Sequence, residues 1–313
     1  MKIIIDQNAG VCTGVKKAIR IAEEYLQKDR PLYALGSLIH NQREVERLKA
    51  RGLETLSQEE IEKDEHPAEL KGKPVLIRAH GISDALRQKL QAAGAELLDG
   101  TCVIVRRIQK KVEEYYQAGH QILIVGKKGH PEVVGLLGYC NNEGIVLQDE
   151  NDLQRIEPDR KTVLFSQTTV SPEKFAWFRD AVQSIVKELI VMDTICRQIS
   201  NRHDRIRDFA RSVDVVLFVG GKKSSNTAVL HSVSLQVNPR SYRIESSEDI
   251  DPNWLKPDDV VGLTGGASTP IWQLQQIRDD LEKMPVRAKN KSEKEEQLNH
   301  ERNNQPQTAR RAS

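Results

Sequence analysis

Residues 95–126 read "AELLDGTCVIVRRIQKKVEEYYQAGHQILIVG". A short apolar run ends in Asp99, a two-residue loop leads to Cys102, a long stretch of helical character follows, and a second apolar run is closed by Gly126. Short runs rich in Val, Ile and Leu that alternate with helical segments point to buried parallel strands joined by βα crossovers. The same unit recurs twice more. "KIIID" at 2–6 precedes Cys12 and the helix-like "GVKKAIRIAEEYL", and "LIVMD" at 189–193 precedes Cys196 and "RQISNRHDRIRDFARSV". Cys102 follows Cys12 by 90 residues, and Cys196 follows Cys102 by 94.

The correspondence continues past each helix. A second run appears as "PLYALG", "QILIVG" and "VVLFVGG", and a third as "PVLIRAHG", "TVLFSQTT" and "VVGLTGGAS". Such periodic self-similarity marks a repeated supersecondary unit. The expected architecture is α/β, with three similar small domains over 1–98, 99–192 and 193–285. Their parallel sheets would stand around a pseudo-threefold axis that brings the three cysteines to one point. Ligands of open parallel sheets bind beyond the carboxyl ends of the strands. His40, His80, His130, Glu132, Thr168, Ser224, Ser225, Asn226 and Ser268 all fall there.

Composition bounds the function classes. The 313 residues are 38% hydrophobic and 29% charged, and no apolar run reaches the roughly 20 residues of a membrane helix. Met1, Lys2, three isoleucines and Asp6 do not make a signal peptide, so reduced thiols in a soluble cytoplasmic protein are expected. From Val286 to Ser313 the chain is almost devoid of apolar residues, and disorder is expected there. This tail holds seven Lys/Arg and four Asp/Glu of the whole-chain 47 and 45, leaving 40 against 41 before it. A near-neutral body has no nucleic-acid footprint.

A cysteine at a strand-to-helix junction lies near the positive end of the helix dipole, which favours the thiolate. One such cysteine is more often a small core residue; three at matching places suggest soft-metal ligands, for zinc or an iron–sulfur cluster. A four-iron cluster ordinarily takes four cysteines, so three would leave one iron open to substrate. Cys140 matches no repeat position and is expected to be structural. "KKSSN" after a strand can cradle an anion, although Ser/Asn clusters are commonly turns. His40 and His80 at matching strand ends can donate to phosphate, and Glu132 beside His130 can hold or relay a proton, or simply favour a helix N-terminus after Pro131. Walker and dinucleotide-binding glycine motifs are absent.

Together the motifs resemble the 4-hydroxy-3-methylbut-2-enyl diphosphate reductase family. They are "GVCTGV" at Cys12, "IHN" at His40, "AHG" at His80, "TC" at Cys102, "GHPEV" at His130, "QTT" at Thr168, "IC" at Cys196, "SSNT" at Ser224 and "GAST" at Ser268, in family order across 1–285. The resemblance implies one 4Fe-4S cluster held by Cys12, Cys102 and Cys196, with one open iron for the substrate hydroxyl. It implies a diphosphate held by His40, His80, His130, Ser224, Ser225, Asn226 and Ser268, with Thr168 near the hydroxyl and Glu132 as proton source. The implied reaction is a two-electron, two-proton dehydroxylation giving isopentenyl and dimethylallyl diphosphate plus water, fed by an external donor such as ferredoxin or flavodoxin. Val11, Thr13 and Val103 depart from the family, which often has Phe, Ala and Pro there. Three alternatives stay open: a cluster-bearing dehydratase resembling quinolinate synthase, a non-enzymatic iron or redox sensor, and a three-thiolate zinc site.

Overall fold

The computed structural model describes residues 1–284 apart from 29, 40, 64–67, 222–224 and 267–268, and without the side chains of Ala68, Ser225 and Asn226. Strand β1 (Lys2–Ile5) leads to helix α1 (Thr13–Leu26), then β2 (Leu32–Leu35), α2 (Gln42–Lys49), β3 (Leu53–Leu56), α3 (Gln58–Lys63), β4 (Pro74–Ile77), α4 (Asp84–Ala92) and β5 (Glu96–Asp99). The middle third continues with α5 (Val103–Gln117), β6 (Gln121–Val125), α6 (Pro131–Leu137), β7 (Ile145–Leu147), β8 (Thr162–Ser166), α7 (Pro172–Ile185) and β9 (Leu189–Val191). The last third holds α8 (Arg197–Ser200), α9 (Arg202–Arg211), β10 (Val215–Val219), α10 (Ser225–Leu235), β11 (Ser241–Ile244), β12 (Val260–Gly265) and α11 (Ile271–Lys283).

The strands form four-stranded, all-parallel sheets in the orders β3-β2-β4-β5, β7-β6-β8-β9 and β11-β10-β12-β1. Central strands are apolar and buried along their length: β4, β6, β8 and β10 contain no exposed residue. This is the two-sided burial of a parallel sheet covered by crossover helices. Phe165 and Phe218, both fully buried, centre the cores of the second and third units. Truncating either to Ala costs on the order of 3–5 kcal/mol.

The sheets are offset from the sequence repeat as counted from the strand ahead of each cysteine. The strand ahead of each cysteine pairs into the sheet of the copy before it. β5, ahead of Cys102, completes the first sheet beside β4, and β9, ahead of Cys196, completes the second beside β8. β1, ahead of Cys12, pairs with β12 of the last unit rather than with its sequence neighbours, in register Lys2↔Val260 to Ile5↔Leu263. The topology is therefore cyclic. Local periodicity records which segments are strands, whereas the partner of an edge strand is chosen by backbone hydrogen bonds between distant residues. The consequence for function is direct, because every cysteine marks a hand-over between two units.

Cys140 lies in a short 3₁₀ turn at Gly138–Cys140, fully buried in the second unit's core, and its Sγ donates to the Leu137 carbonyl at 3.3 Å. Burial pushes this thiol up to about 11, so it stays a neutral packing group. Residues 285–313, where the charged tail falls, lie outside the described residues.

Candidate active site

Each chain hand-over is built in the same way. The aspartate at or just after the strand end closes a tight turn by accepting from the N–H two residues on: Asp6 Oδ1 from Asn8 at 2.8 Å, Asp99 Oδ1 from Thr101 at 2.9 Å and Asp193 Oδ1 from Ile195 at 3.3 Å. Side-chain turns of this kind are the ordinary use of Asp at a bend. The chain then enters Cys12, Cys102 and Cys196, which occupy the N-cap positions of α1, α5 and α8. None of the three thiols caps its own helix. Other helices begin differently, with Asn41, Ser83 and Ser171 accepting from the first-turn N–H groups of Glu44, Leu86 and Lys174. At the cysteines the dipole's positive end is left for something else.

The three thiols belong to one locus. A side-chain carbon on Gly14, two residues after Cys12, would stand 2.8 Å from Cys102 Cβ and 2.9 Å from its Sγ, so only glycine lets α1 come this close. Burial raises the Cys196 thiol first, and the charges of Cys12 and Cys102 raise it further, against the N–H groups of Gln198 and Ile199. Thr13 Oγ1 donates across to Gln198 Oε1 at 3.1 Å, and Lys17 Nζ to the Thr101 carbonyl at 3.1 Å, tying the three helix starts together. Among the described residues no three His, Cys, Asp or Glu side chains gather on a point fit for a single ion.

A continuous set of contacts joins two of these cysteines through the polar candidates. The Cys196 N–H donates to the Thr168 carbonyl at 2.9 Å. Thr168 in turn donates its N–H to Glu132 Oε1 at 2.7 Å and its hydroxyl to Oε2 at 2.8 Å. The Glu132 N–H donates to His130 Nδ1 at 3.2 Å, so His130 caps α6, and Pro131 at the first helical position presets the turn. The His130 ring meets the His80 ring edge-on, with centroids 5.3 Å apart. Ala79, next to His80, accepts from the Cys102 N–H at 3.0 Å. Glu132 is 2% exposed, and burial lifts its carboxyl above the ordinary range although both Thr168 bonds pull the other way.

The structure thus brings together Cys12, Cys102, Cys196, His80, His130, Glu132 and Thr168. His40, Ser224 and Ser268 lie outside the described residues; Ser225 and Asn226 form the first turn of α10, their side chains likewise outside. Sequence reasoning passed over Gly14 and Thr194. Thr194 Oγ1 bonds both the N–H and the carbonyl of Ser166, at 2.7 and 2.8 Å, and so pins the Cys196 loop to β8. The available signals were the Cys-x-Gly spacing and the Thr two residues before Cys196. Of the departures, Val11 packs with Ile19 and Ile39, Thr13 uses its hydroxyl, and Val103 is 65% exposed at the start of α5.

The family model of the LytB protein matches residues 3–282. The chain is 40% identical over 309 residues to 4-hydroxy-3-methylbut-2-enyl diphosphate reductase of Chloroherpeton thalassium, covering 90% of this chain and 96% of that one. It is 37% identical over 286 residues to the enzyme of the same name from Caldanaerobacter subterraneus, covering 91% and 98%. A solved structure of (E)-4-hydroxy-3-methyl-but-2-enyl diphosphate reductase, the terminal enzyme of the non-mevalonate pathway, superposes with a TM-score of 0.78 at 36% identity, over 91% of this chain and all of that one. The reductase from Plasmodium falciparum shares the fold, with a TM-score of 0.70 at 24% identity over 91% and 89%.

Proposed function

The chain belongs to the LytB protein family, and on that premise we propose that it reduces 4-hydroxy-3-methylbut-2-enyl diphosphate with two electrons and two protons. The C–O bond to the hydroxyl breaks, water leaves, and isopentenyl or dimethylallyl diphosphate remains. The observation that carries this reading is the contact path from Cys196 through Thr168, Glu132, His130 and His80 to Cys102. It sets a buried proton-holding carboxyl between two thiol anchors and beside two imidazoles.

Cys12, Cys102 and Cys196 would hold a 4Fe-4S cluster with one iron free of protein thiolate. Three uncapped thiols at helix N-termini match its soft, anionic ligand chemistry. When bound, the cluster supplies electrons and a Lewis-acid position for the hydroxyl. The chain's own groups do the rest. Burial shifts Glu132 toward its protonated form, and the Thr168 hydroxyl, which donates to Glu132 Oε2 at 2.8 Å, links the carboxyl to the substrate hydroxyl. His80 and His130 donate to the diphosphate, and the first turn of α10, with Ser225 and Asn226, adds backbone N–H groups and a favourable dipole. His40, Ser224 and Ser268 complete the proposed diphosphate set. These contacts fix the allylic carbon relative to the cluster and so lower the entropic part of the barrier.

Electrons would come from a cytoplasmic carrier such as a ferredoxin or flavodoxin. The first turns of α1, α5 and α8 contain no acidic residue, and Lys16, Lys17, Arg107 and Arg197 are exposed on these helix starts. Such a rim suits an acidic partner. Among the described residues no helix is long and apolar enough to cross a membrane.

The test is anaerobic turnover. Protein reconstituted with iron and sulfide is mixed with reduced viologen and the allylic diphosphate, and viologen oxidation is followed with product analysis. Substrate-dependent oxidation yielding both five-carbon diphosphates is expected. No turnover by protein carrying a full complement of iron and sulfide overturns the reading.

A further inference from the structure

The threefold repeat provides an internal control, because corresponding positions can be compared within one chain. The residue six places after each cysteine is buried in all three copies: Ala18 at 0% exposure, Ile108 at 4% and Arg202 at 8%. Two are apolar and pack into their units; the third is a guanidinium. The helix around it is also different. α1 and α5 run unbroken for 14 and 15 residues, whereas in the third copy α8 stops at Ser200 and α9 restarts at Arg202. Asn201 separates the two as the cap residue. The break in equivalence therefore coincides with a break in the helix.

The Arg202 side chain points back at the first cysteine. Its Nη2 donates to the Gly10 carbonyl at 2.6 Å and lies 3.4 Å from the carbonyl of Gly265, the last residue of β12. Gly10 is two residues before Cys12 and holds a left-handed φ of +92°, with the Thr269 carbonyl 3.1 Å from where a side-chain carbon would stand. The Cys12 loop is thus clamped between the end of β12 and a cation from α9.

Among the described residues no carboxylate forms an ion pair with Arg202. Arg240 is the contrasting case: more exposed, it is nevertheless held by both oxygens of Asp259 at 2.9 and 2.6 Å. Burying a charge without a partner is costly, and an ion retained this way ordinarily faces an opposite charge. Burial depresses Arg202's proton affinity most, and the groups acting against this are Cys12 first and then Asp6. Asp6 is 5% exposed, with its oxygens occupied by the Asn8 N–H and the Thr264 hydroxyl.

We propose that Arg202 is a positioning residue that anchors the Cys12 loop and serves as the counter-charge of the thiolate-held cluster, raising its reduction potential. The inference rests on the iron–sulfur reading above. Each electron taken from an external reductant adds one negative charge to the bound cluster, and a fixed guanidinium in a dry setting stabilises that charge. Asp6, whose charge also acts on Arg202, would work in the opposite sense.

The test is an anaerobic redox titration of the reconstituted protein, followed by electron paramagnetic resonance, with iron and sulfide content measured alongside. Arg202→Gln removes the charge while leaving an amide for the Gly10 carbonyl. Its midpoint should move to more negative potential by about the 59 mV that corresponds to a tenfold change for one electron. Arg202→Lys should stay nearer the parent. Asp6→Asn should move the midpoint the other way. Equal midpoints for parent and Arg202→Gln overturn the proposal. If Arg202→Gln takes up no cluster, Asp6→Asn decides: a positive shift supports the charge model, and an unmoved or more negative midpoint overturns it. Parent protein that binds no iron and sulfide overturns the cofactor reading itself, and this inference with it.

Discussion

Glu132 and Asp152 are both buried carboxylates of the second unit, at 2% and 4% exposure, yet their surroundings assign them opposite chemistry. Asp152 accepts from the N–H groups of Gln148 and Asp149 at 2.9 and 3.2 Å and pairs with the Lys128 ammonium. Burial opposes its charge, but Lys128 and the two N–H groups outweigh burial and hold the carboxyl below its ordinary value. Glu132 has Thr168 as its hydrogen-bond donor through an N–H and a hydroxyl, and no ion pair among the described residues reaches it. Burial then wins and the carboxyl rises. Depth alone does not raise a carboxyl; depth without a neighbouring cation does.

The strongest way to break this comparison is to neutralise each carboxyl in turn. Glu132→Gln should lose most turnover, on the order of 10²–10⁴-fold, with cluster content and substrate binding retained. Asp152→Asn should leave turnover near the parent's. Near-native turnover in Glu132→Gln removes the proton-donor role.

Stability should reverse the order. Asp152→Ala leaves two backbone donors and Lys128 without their acceptor, and urea unfolding should report a loss of about 1–3 kcal/mol. Glu132→Gln keeps an acceptor for the Thr168 N–H, and the Thr168 hydroxyl can turn to accept from the new amide, so little change is expected. A larger loss in Glu132→Gln than in Asp152→Ala contradicts the assignment of structural and chemical roles.

The pH dependence of unfolding separates the two more finely. Asp152, lowered in the folded state, contributes stability above the ordinary carboxyl value and loses it as pH falls through its own lower value. Glu132, raised in the folded state, contributes below the ordinary value and loses that contribution as pH climbs through its own higher one. Unfolding free energies should therefore fall less steeply on the acid side in Asp152→Asn and less steeply with rising pH in Glu132→Gln, other lowered carboxyls, Asp99 and Asp259 among them, keeping their share of the acid-side fall. Thr168→Val sharpens the point. It removes a bond that favours charged Glu132, so the pH above which turnover declines should move upward, and Thr168→Ser should restore it.

The smallest effect is expected at Val103. It adjoins Cys102 but lies outside the contact path, and Cys102 already has φ −58° and ψ 137°, a conformation suited to the residue before proline. Val103→Pro should raise stability by roughly 0.4–1 kcal/mol, seen as a higher melting temperature, with turnover unchanged. A large change in turnover there locates tuning at the α5 start that the Glu132 comparison assigns elsewhere.

Much of the fold was legible beforehand. β4, β6, β8 and β10 are short Val/Ile/Leu/Phe runs that can satisfy two covered faces only inside a parallel sheet, and the recurrence of Asp and Cys marked the three helix starts. The candidate ligands and Glu132 as a proton carrier were also named from the sequence, since residue type and position at strand ends are local facts, whereas the role of Thr168 entered through the family resemblance and its bond to Glu132 came from the structure. What sequence left undecided is of another kind. β1 could be recognised as a strand from "KIII", but not as the partner of β12, more than 250 residues away. The repeat set Cys140 apart from Cys102, but that Cys102 comes to lie against Gly14 of α1 is known only from the folded chain. The 36-residue step from Glu132 to Thr168 and the 192-residue step from Arg202 to Gly10 are closed only by the folded chain. The sequence by itself determined the elements, their burial and the inventory of reactive groups, because these follow from periodicity and side-chain chemistry. Tertiary structure decided the cyclic pairing of strands, which buried carboxyl, among the described residues, has no ion pair and where the Arg202 guanidinium is aimed, because those depend on contacts between residues that no local pattern relates.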